Sequence, residues 1–217
     1  HWTDGGSQYR LELLSGEALM IPKAHCERYA VIDLAASIKT WADWSVLSVW
    51  DWHRDTQNLI LVHMDRQRVE SSQHIIWAQS LCKQWGVERL GIEERTFGLT
   101  LIQHFQRAGG FYVRPLFPKD RDKVQRAIPY GAGIANQQVW FPKAASWLYI
   151  WEQEHRNFPN AKHDDMVDTG AYAWEMTRSM PAYAPHRKKV PTIEDLCFKQ
   201  IEDRRKRKPD DWSYMMR

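Results

Sequence analysis

Three runs of strand-forming residues lie close together in the chain, Tyr29-Ala-Val-Ile-Asp-Leu34, Ser45-Val-Leu-Ser-Val-Trp50 and Asn58-Leu-Ile-Leu-Val-His-Met64, and strand-type and helix-type segments alternate after them. That order leaves few folds open. A connection as short as the turn around residues 54–57 suits antiparallel neighbours, so the three runs predict an antiparallel meander. From there the period changes. Ile75, Ile76, Ala78, Leu81, Cys82 and Trp85 fall at helical spacing, with Gly86 behind them as a stop. Residues 89–94 return to a short strand, residues 96–108 predict a second helix closed by Gly109-Gly110, and residues 111–117 a further strand. A helix between two strands implies a parallel crossover. The prediction is an α/β fold with a mixed β-sheet, an antiparallel meander plus parallel strands, flanked by helices.

The later segments are less regular. Lys119-Asp-Arg-Asp-Lys-Val-Gln-Arg126 starts a basic helical segment, and a Gly-containing stretch runs on to residue 137. Residues 138–141 read as a short strand, and residues 146–158 as an aromatic-rich helix stopped by Pro159. An acid-led helix opens at residue 164 and ends before Pro181. Residues 1–28 carry few periodic signals and read as a lead-in segment with one short strand near residues 9–14. The main domain is therefore expected over residues 29–182. Residues 183–217, which hold Arg187-Lys-Lys189 and Arg204-Arg-Lys-Arg-Lys208, are expected to be a solvated basic C-terminal tail.

Composition narrows the class. A chain of 217 residues, 43% hydrophobic and 26% charged, suits one large globular domain plus a tail. Cys26, Cys82 and Cys197 lack both metal-type spacing and an even-numbered framework, which predicts free thiols in a reducing compartment. No apolar run reaches the ~18 to 20 residues of a membrane span, and no signal peptide opens the chain. It begins at His1 rather than Met, as a piece of a longer protein does. Twelve tryptophans beside a net charge of +3 leave two roles open, core packing or stacking on bases at a basic surface.

The acids are more informative. Asp33 sits inside an apolar strand run, where an unpaired acid is costly, so it either caps the loop beyond the strand or meets a cation. Glu93 and Glu94 end the strand of residues 89–94. Asp164, Asp165 and Asp168 place three carboxylates within five positions at the opening of the last helix. The helix dipole favours acids in a first turn, so one or two need no functional account, but three exceed what capping requires. Asp165 and Asp168 are i and i+3 and project from one face, about one turn apart. A shared hard cation such as Mg2+ or Mn2+ relieves their repulsion most simply. In an open sheet with parallel crossovers, strand ends that point the same way converge at one edge, which would gather Asp33, Glu93 and Asp165. Two ions about 4 Å apart at that edge suit phosphodiester hydrolysis, one activating water and the other stabilising the leaving oxygen. His163 adjoins the cluster but reads as an ordinary residue at a helix start.

The succession Val31-Ile-Asp-Leu-Ala35 with Ala42-Asp-Trp-Ser-Val46, Ile92-Glu-Glu-Arg-Thr-Phe-Gly98, Asp122-Lys-Val-Gln-Arg-Ala127, Val139-Trp-Phe-Pro142, Phe158-Pro159 and His163-Asp-Asp-Met-Val-Asp168 resembles the nuclease domain of the large terminase subunit of tailed double-stranded DNA bacteriophages. The motifs come in the family's order over residues 29–180. This resemblance implies an RNase H-like fold, shared with retroviral integrases and Holliday-junction resolvases. It implies a metal-dependent endonuclease that cuts concatemeric phage DNA during genome packaging. By the same resemblance, Asp33 is the first-strand metal ligand, Glu93 the ligand on the later strand and Asp165 the helix-borne ligand. These three are the expected catalytic set, with Asp164 and Asp168 as additional carboxylates around two Mg2+ or Mn2+ ions. Asp43 matches a recurrent loop acid with no assigned role, and Glu94 is expected to face away from the metals. The implied partners are double-stranded DNA, a small terminase subunit and a portal protein. The implied location is the host cell cytoplasm and not the mature virion. One departure is large. The full terminase carries an N-terminal packaging ATPase, and no G-x-x-x-x-G-K-[ST] occurs here, so this chain is expected to have no ATPase activity by itself.

Lys119, Arg121, Lys123 and Arg126 are the expected DNA-phosphate contacts, along a groove leading to the acids; on the far side they would be a solubilising helix face. No base-reading motif is evident, which implies cutting with weak sequence preference. Two alternatives use the same residues differently. A Holliday-junction resolvase or transposase of the same fold would dimerise or prefer branched DNA. A non-catalytic DNA-binding module would keep the basic segments without metal dependence.

Overall fold

Strand pairing begins at the N-terminus. β1 (Trp2–Asp4), β2 (Gln8–Glu12) and β3 (Ala18–Pro22) form a three-stranded antiparallel sheet, where the sequence predicts a lead-in with one strand. Its strands are short and bury only Tyr9, Leu11 and Ile21, too few positions for alternation to register as a period. Those side chains pack on Ile60 and Trp140 of the larger sheet. A buried polar contact secures the join: the Tyr9 hydroxyl donates to Asp51 Oδ2 at 2.5 Å, and Arg28 donates to both Asp51 oxygens at 2.7 Å. The computed structural model describes residues 1–35, 44–68, 70, 72–94, 96–117 and 122–178. Asp43, Lys119, Arg121 and the basic tail lie outside the described residues.

The larger sheet comprises β4 (Glu27–Asp33), β5 (Ser45–His53), β6 (Asn58–Gln67), β7 (Arg89–Glu93), β8 (Tyr112–Leu116) and β9 (Val139–Trp140), in the order β8-β7-β4-β5-β6-β9. β4, β5 and β6 form the antiparallel meander that the short connections predict. β7 pairs parallel with β4, β8 with β7 and β9 with β6. Among the described residues five α-helices pack on it: α1 (His74–Trp85), α2 (Thr96–Ala108), α3 (Lys123–Ala135), α4 (Leu148–Asn157) and α5 (Asp165–Thr177).

Alternation along the central strands assigns each helix to a face. Ala30 and Ile32 of β4, with Leu47 and Val49 of β5, form one core with Trp77, Ala78 and Leu81 of α1 and Leu101, Ile102 and Phe105 of α2. Tyr29 and Val31, with Val46 and Trp50, form the other core with Tyr130 of α3, Trp151 of α4, and Met166, Tyr172 and Met176 of α5. The sheet is thus covered on both faces, as a sheet with parallel crossovers requires.

α3 departs from the sequence reading. A basic helical start followed by a Gly-containing stretch was expected, yet the helix runs to Ala135 through Pro129, Gly131 and Gly133. Tertiary contact outweighs propensity here. Tyr130 packs edge-on to Trp50 with ring centroids 6.3 Å apart, and Gly133 lies against the Trp174 indole of α5. The two helices close on each other at Gly170, where a Cβ would stand 2.5 Å from the Tyr130 ring. We expect Gly170→Ala to destabilise the fold by about 1–3 kcal/mol through this overlap. The denaturant midpoint checks it; an unchanged midpoint would mean that α3 and α5 are not held at this separation.

Candidate functional site

The alternation that sends Tyr29 and Val31 of β4 toward α5 sends Asp33 the same way. On β7, Leu90 and Ile92 enter the opposite core, so Gly91 and Glu93 face α5. Met176 sits against Gly91, the Tyr172 hydroxyl donates to Glu93 Oε1 at 2.7 Å, and the Tyr29 hydroxyl donates to the Ala173 carbonyl at 2.7 Å. α5 therefore runs back along β4 and β7 and lays its acidic first turn over the ends of both. The register Asp33↔Val46↔Arg66 continues the same row across β5 and β6. Trp44, immediately before β5, donates its backbone N–H to Asp165 Oδ2 at 3.2 Å. Gly98, which closes the Ile92-to-Gly98 motif, lets α2 start against the Glu93 carbonyl, where a Cβ would collide.

The result is a crowd of carboxylates. Glu93, Asp165 and Asp168 expose only 4%, 6% and 5% of their surface, so each needs compensation within the protein. Asp33 as a residue is part-exposed at its strand end, but its carboxyl group is enclosed. Burial pushes that carboxyl well above the usual carboxylate range. The Glu93 charge, a hydrogen bond to Glu93 and the charges of Asp168 and Asp165 push it further in the same direction. Burial and these neighbours together favour the neutral form of Asp33.

Asp164 and Asp168 are compensated by cations. Lys123 Nζ donates to Asp164 Oδ1 at 2.7 Å and lies 3.3 Å from Asp168 Oδ2; Arg126 Nη2 donates to Asp168 Oδ1 at 2.9 Å. Burial works to lower the Lys123 pKa, but the two carboxylates outweigh it and hold the ammonium above its ordinary value. The structure thus brings Asp33, Glu93, Asp165 and Asp168 together, with Asp164 beside them. It also places Lys123 and Arg126, expected along an open DNA groove, against the acids; the Arg126 side chain is 7% exposed. Glu94 follows β7 and its N–H donates to the Leu116 carbonyl at 2.8 Å. His163 packs edge-on to Trp44, with ring centroids 6.5 Å apart.

Two contributors were not singled out from the sequence. Tyr172 lies four residues after Asp168, hence on the same helix face, and that spacing was a usable signal. Glu154 of α4 carried no signal. It accepts the Met166 N–H at 3.1 Å, satisfying one open donor in the first turn of α5, and its other oxygen lies 3.1 Å from Arg66 Nη2.

Among the described residues no group of three His, Cys, Asp or Glu side chains is arranged so that it could hold a metal ion as it stands. The donor chemistry nevertheless suits a hard divalent cation. Asp33, Glu93 and Asp165 offer only oxygen, and the neighbouring carboxylates that raise the Asp33 pKa mark a place where positive charge is favoured. The raised Asp33 pKa sets a pH dependence. Above about pH 4 an unfolded aspartate has released its proton while folded Asp33 retains it, so the folded state binds more protons and this contribution to stability falls as pH rises toward the folded pKa. In chelator, the unfolding free energy of the wild type relative to Asp33→Asn should decline from pH 4 to 7, by at most about 1.4 kcal/mol per pH unit, and Asp33→Asn should be the more stable at pH 7. Parallel stability profiles for the two proteins would show that Asp33 is not protonated in the folded state.

The family profile described as Terminase RNaseH-like domain matches residues 30–177. No curated protein sequence matches the chain. The large terminase nuclease of the thermophilic phage G20c is similar in structure. With bound magnesium it is 17% identical over 80% of this chain and 89% of its own, with a TM-score of 0.54; with bound zinc it is 20% identical over 80% and 90%, with a TM-score of 0.53. The P22 large terminase nuclease domain is 16% identical over 72% of this chain and 84% of its own, with a TM-score of 0.54. These likenesses are of fold, with the same meander, parallel additions and flanking helices. A single profile spanning the sheet from β4 through the acid-bearing α5 places the chain in the family of terminase RNase H-like domains.

Proposed function

We propose that this chain is a metal-dependent endonuclease that cuts double-stranded phage DNA during genome packaging. The observation that carries the reading is the convergence of Asp33, Glu93 and Asp165 where β4, β7 and the first turn of α5 meet, in a chain of the terminase family. The G20c nuclease binds magnesium, zinc and cobalt, which supports a divalent cation here. Two ions fit the proposal, Mg2+ or Mn2+ being the hard, oxygen-seeking choices. Asp33, Glu93 and Asp165 would hold them, with Asp164 and Asp168 alongside.

When bound, the ions supply a water that is nucleophilic at neutral pH and positive charge for the leaving oxygen of the phosphodiester. The chain's own residues prepare the place. A bound cation would favour the ionised Asp33 carboxylate, which burial and its neighbours otherwise disfavour. Tyr172 holds Glu93 by its hydroxyl, and the Trp44 N–H holds Asp165. Lys123 and Arg126, close to Asp164 and Asp168, keep positive charge beside the cutting position, where it would favour an approaching phosphate. Lys119 and Arg121 belong to the same basic segment of the sequence and are proposed to contact the DNA backbone. Concatemeric DNA in the host cytoplasm, delivered with a small terminase subunit and a portal protein, is the proposed setting.

The test uses plasmid DNA. Nicking or linearisation is expected with Mn2+ or Mg2+ and none in EDTA, while Asp33→Asn and Asp165→Asn abolish cutting with the fold retained. Mn2+ should also raise the melting temperature of the wild type and leave that of Asp33→Asn nearly unmoved, a readout independent of cutting. Sustained cleavage in excess chelator would refute the metal-dependent reading, and wild-type cutting by either variant would remove that residue from the site.

A further inference from the structure

On the β6 side of the carboxylates the chain opens a groove of about 350 Å³, lined by Trp44, Met64, Arg66, Trp147, Ile150 and Met166. That is the size of a small-ligand pocket and gives room for a nucleotide-sized group. It adjoins the site directly, because Met166 follows Asp165 and the Trp44 N–H binds Asp165. Arg66 lies in the same row as Asp33, two strands away, so their backbones are about 10 Å apart. Its side chain is held from behind by Glu154.

Arg68 is different. It is two positions beyond Arg66 and exposed, and among the described residues it has no carboxylate partner. Both guanidinium groups lie over the Trp44 indole, Arg66 at 4.5 Å and Arg68 at 4.4 Å from a ring centroid. On the other side of the acids the corresponding cations, Lys123 and Arg126, are already engaged by Asp164 and Asp168. On the β6 side, by contrast, Arg68 is exposed, and it lies beside an aromatic side chain. An aromatic ring beside arginine charge is the combination that binds a nucleic-acid strand without reading its sequence: the ring carries sugar or base, the guanidinium carries phosphate.

We propose that this groove receives the DNA strand next to the bond that is cut, with Arg68 as its phosphate contact and Trp44, held by the two arginines, as part of its wall. Arg66 is a positioning residue, fixing Trp44 in place between the groove and Asp165. The inference rests on the nuclease reading above, and it names the surface by which that substrate is gripped.

Binding of a labelled DNA duplex in EDTA, where no cutting is expected, tests it on the full chain across a salt series. Arg68→Ala should weaken binding about tenfold and reduce the salt slope by about 0.9, the share of one phosphate contact, equally on unrelated sequences. Arg68→Lys should retain the slope, since it keeps the charge, whereas a role limited to packing Trp44 would make it behave as Arg68→Ala does. Arg107→Ala, at an exposed position of α2 on the opposite face, should leave binding unchanged. An unchanged slope in Arg68→Ala, an equal loss in Arg107→Ala, or no duplex binding by the wild type would each overturn the groove assignment. Metal-dependent plasmid cutting is scored separately on the wild type, so failure of the groove and failure of the nuclease reading give different results.

Discussion

The constraint on which the rest depends is like charge held out of water. β4 and β7 are parallel neighbours whose ends coincide, and alternation along each leaves an acid as the last side chain on the α5 face. α5 then begins with acids over the same spot. Three nearly buried carboxylates and the enclosed Asp33 cannot all ionise there without compensation, and the structure supplies it in several ways at once. Asp33 is favoured in its neutral form, a tyrosine hydroxyl reaches Glu93, a backbone N–H reaches Asp165, and two cations meet Asp164 and Asp168. A site so arranged has a use for added positive charge, and that is the physical basis of the divalent cation proposed above.

The cations come from α3, and this explains the close packing of α3 on α5. Lys123 and Arg126 reach the acids because the helices approach through Gly133 and Gly170, with Trp174 and Tyr130 filling the space that side chains at those glycines would take. The Arg126 guanidinium also lies 5.2 Å from the Tyr172 ring centroid, so the residue that binds Asp168 lies beside the one that binds Glu93. Weakening the helix contact would loosen both acids together.

On the opposite side Glu154 ties α4 to the start of α5 and to Arg66 on β6. Burial raises its carboxyl pKa, while Arg66 and the Met166 N–H act against that rise. The first turn of α5 is thus set by side chains from α3 and α4 and by the peptide before β5. Farther away, the N-terminal sheet covers Ile60 and Trp140, apolar residues toward the β9 edge of the larger sheet, and its Tyr9–Asp51–Arg28 contacts keep a buried acid paired away from the site.

Local pattern alone carried the meander, the crossovers and the position of α5. Asp33 was legible because an acid interrupts an apolar strand, and Glu93 because it ends one; both signals depend on a period of two that any strand obeys. Asp165 and Asp168 stood out as acids in excess of capping. The roles of Lys123 and Arg126 were not legible, since a basic helix start looks the same whether it faces solvent, DNA or a carboxylate. Pro129, Gly131 and Gly133 concealed α3 because their value lies in what packs against them. Glu154 reaches Met166 across twelve positions and Arg66 across strands, and no spacing rule encodes such a contact. The sequence by itself determined which segments become strands and helices and which strand ends carry acid, because those follow from neighbours along the chain. Only the tertiary structure decided which charges compensate one another, because charge pairing acts through space between elements that the chain order keeps apart.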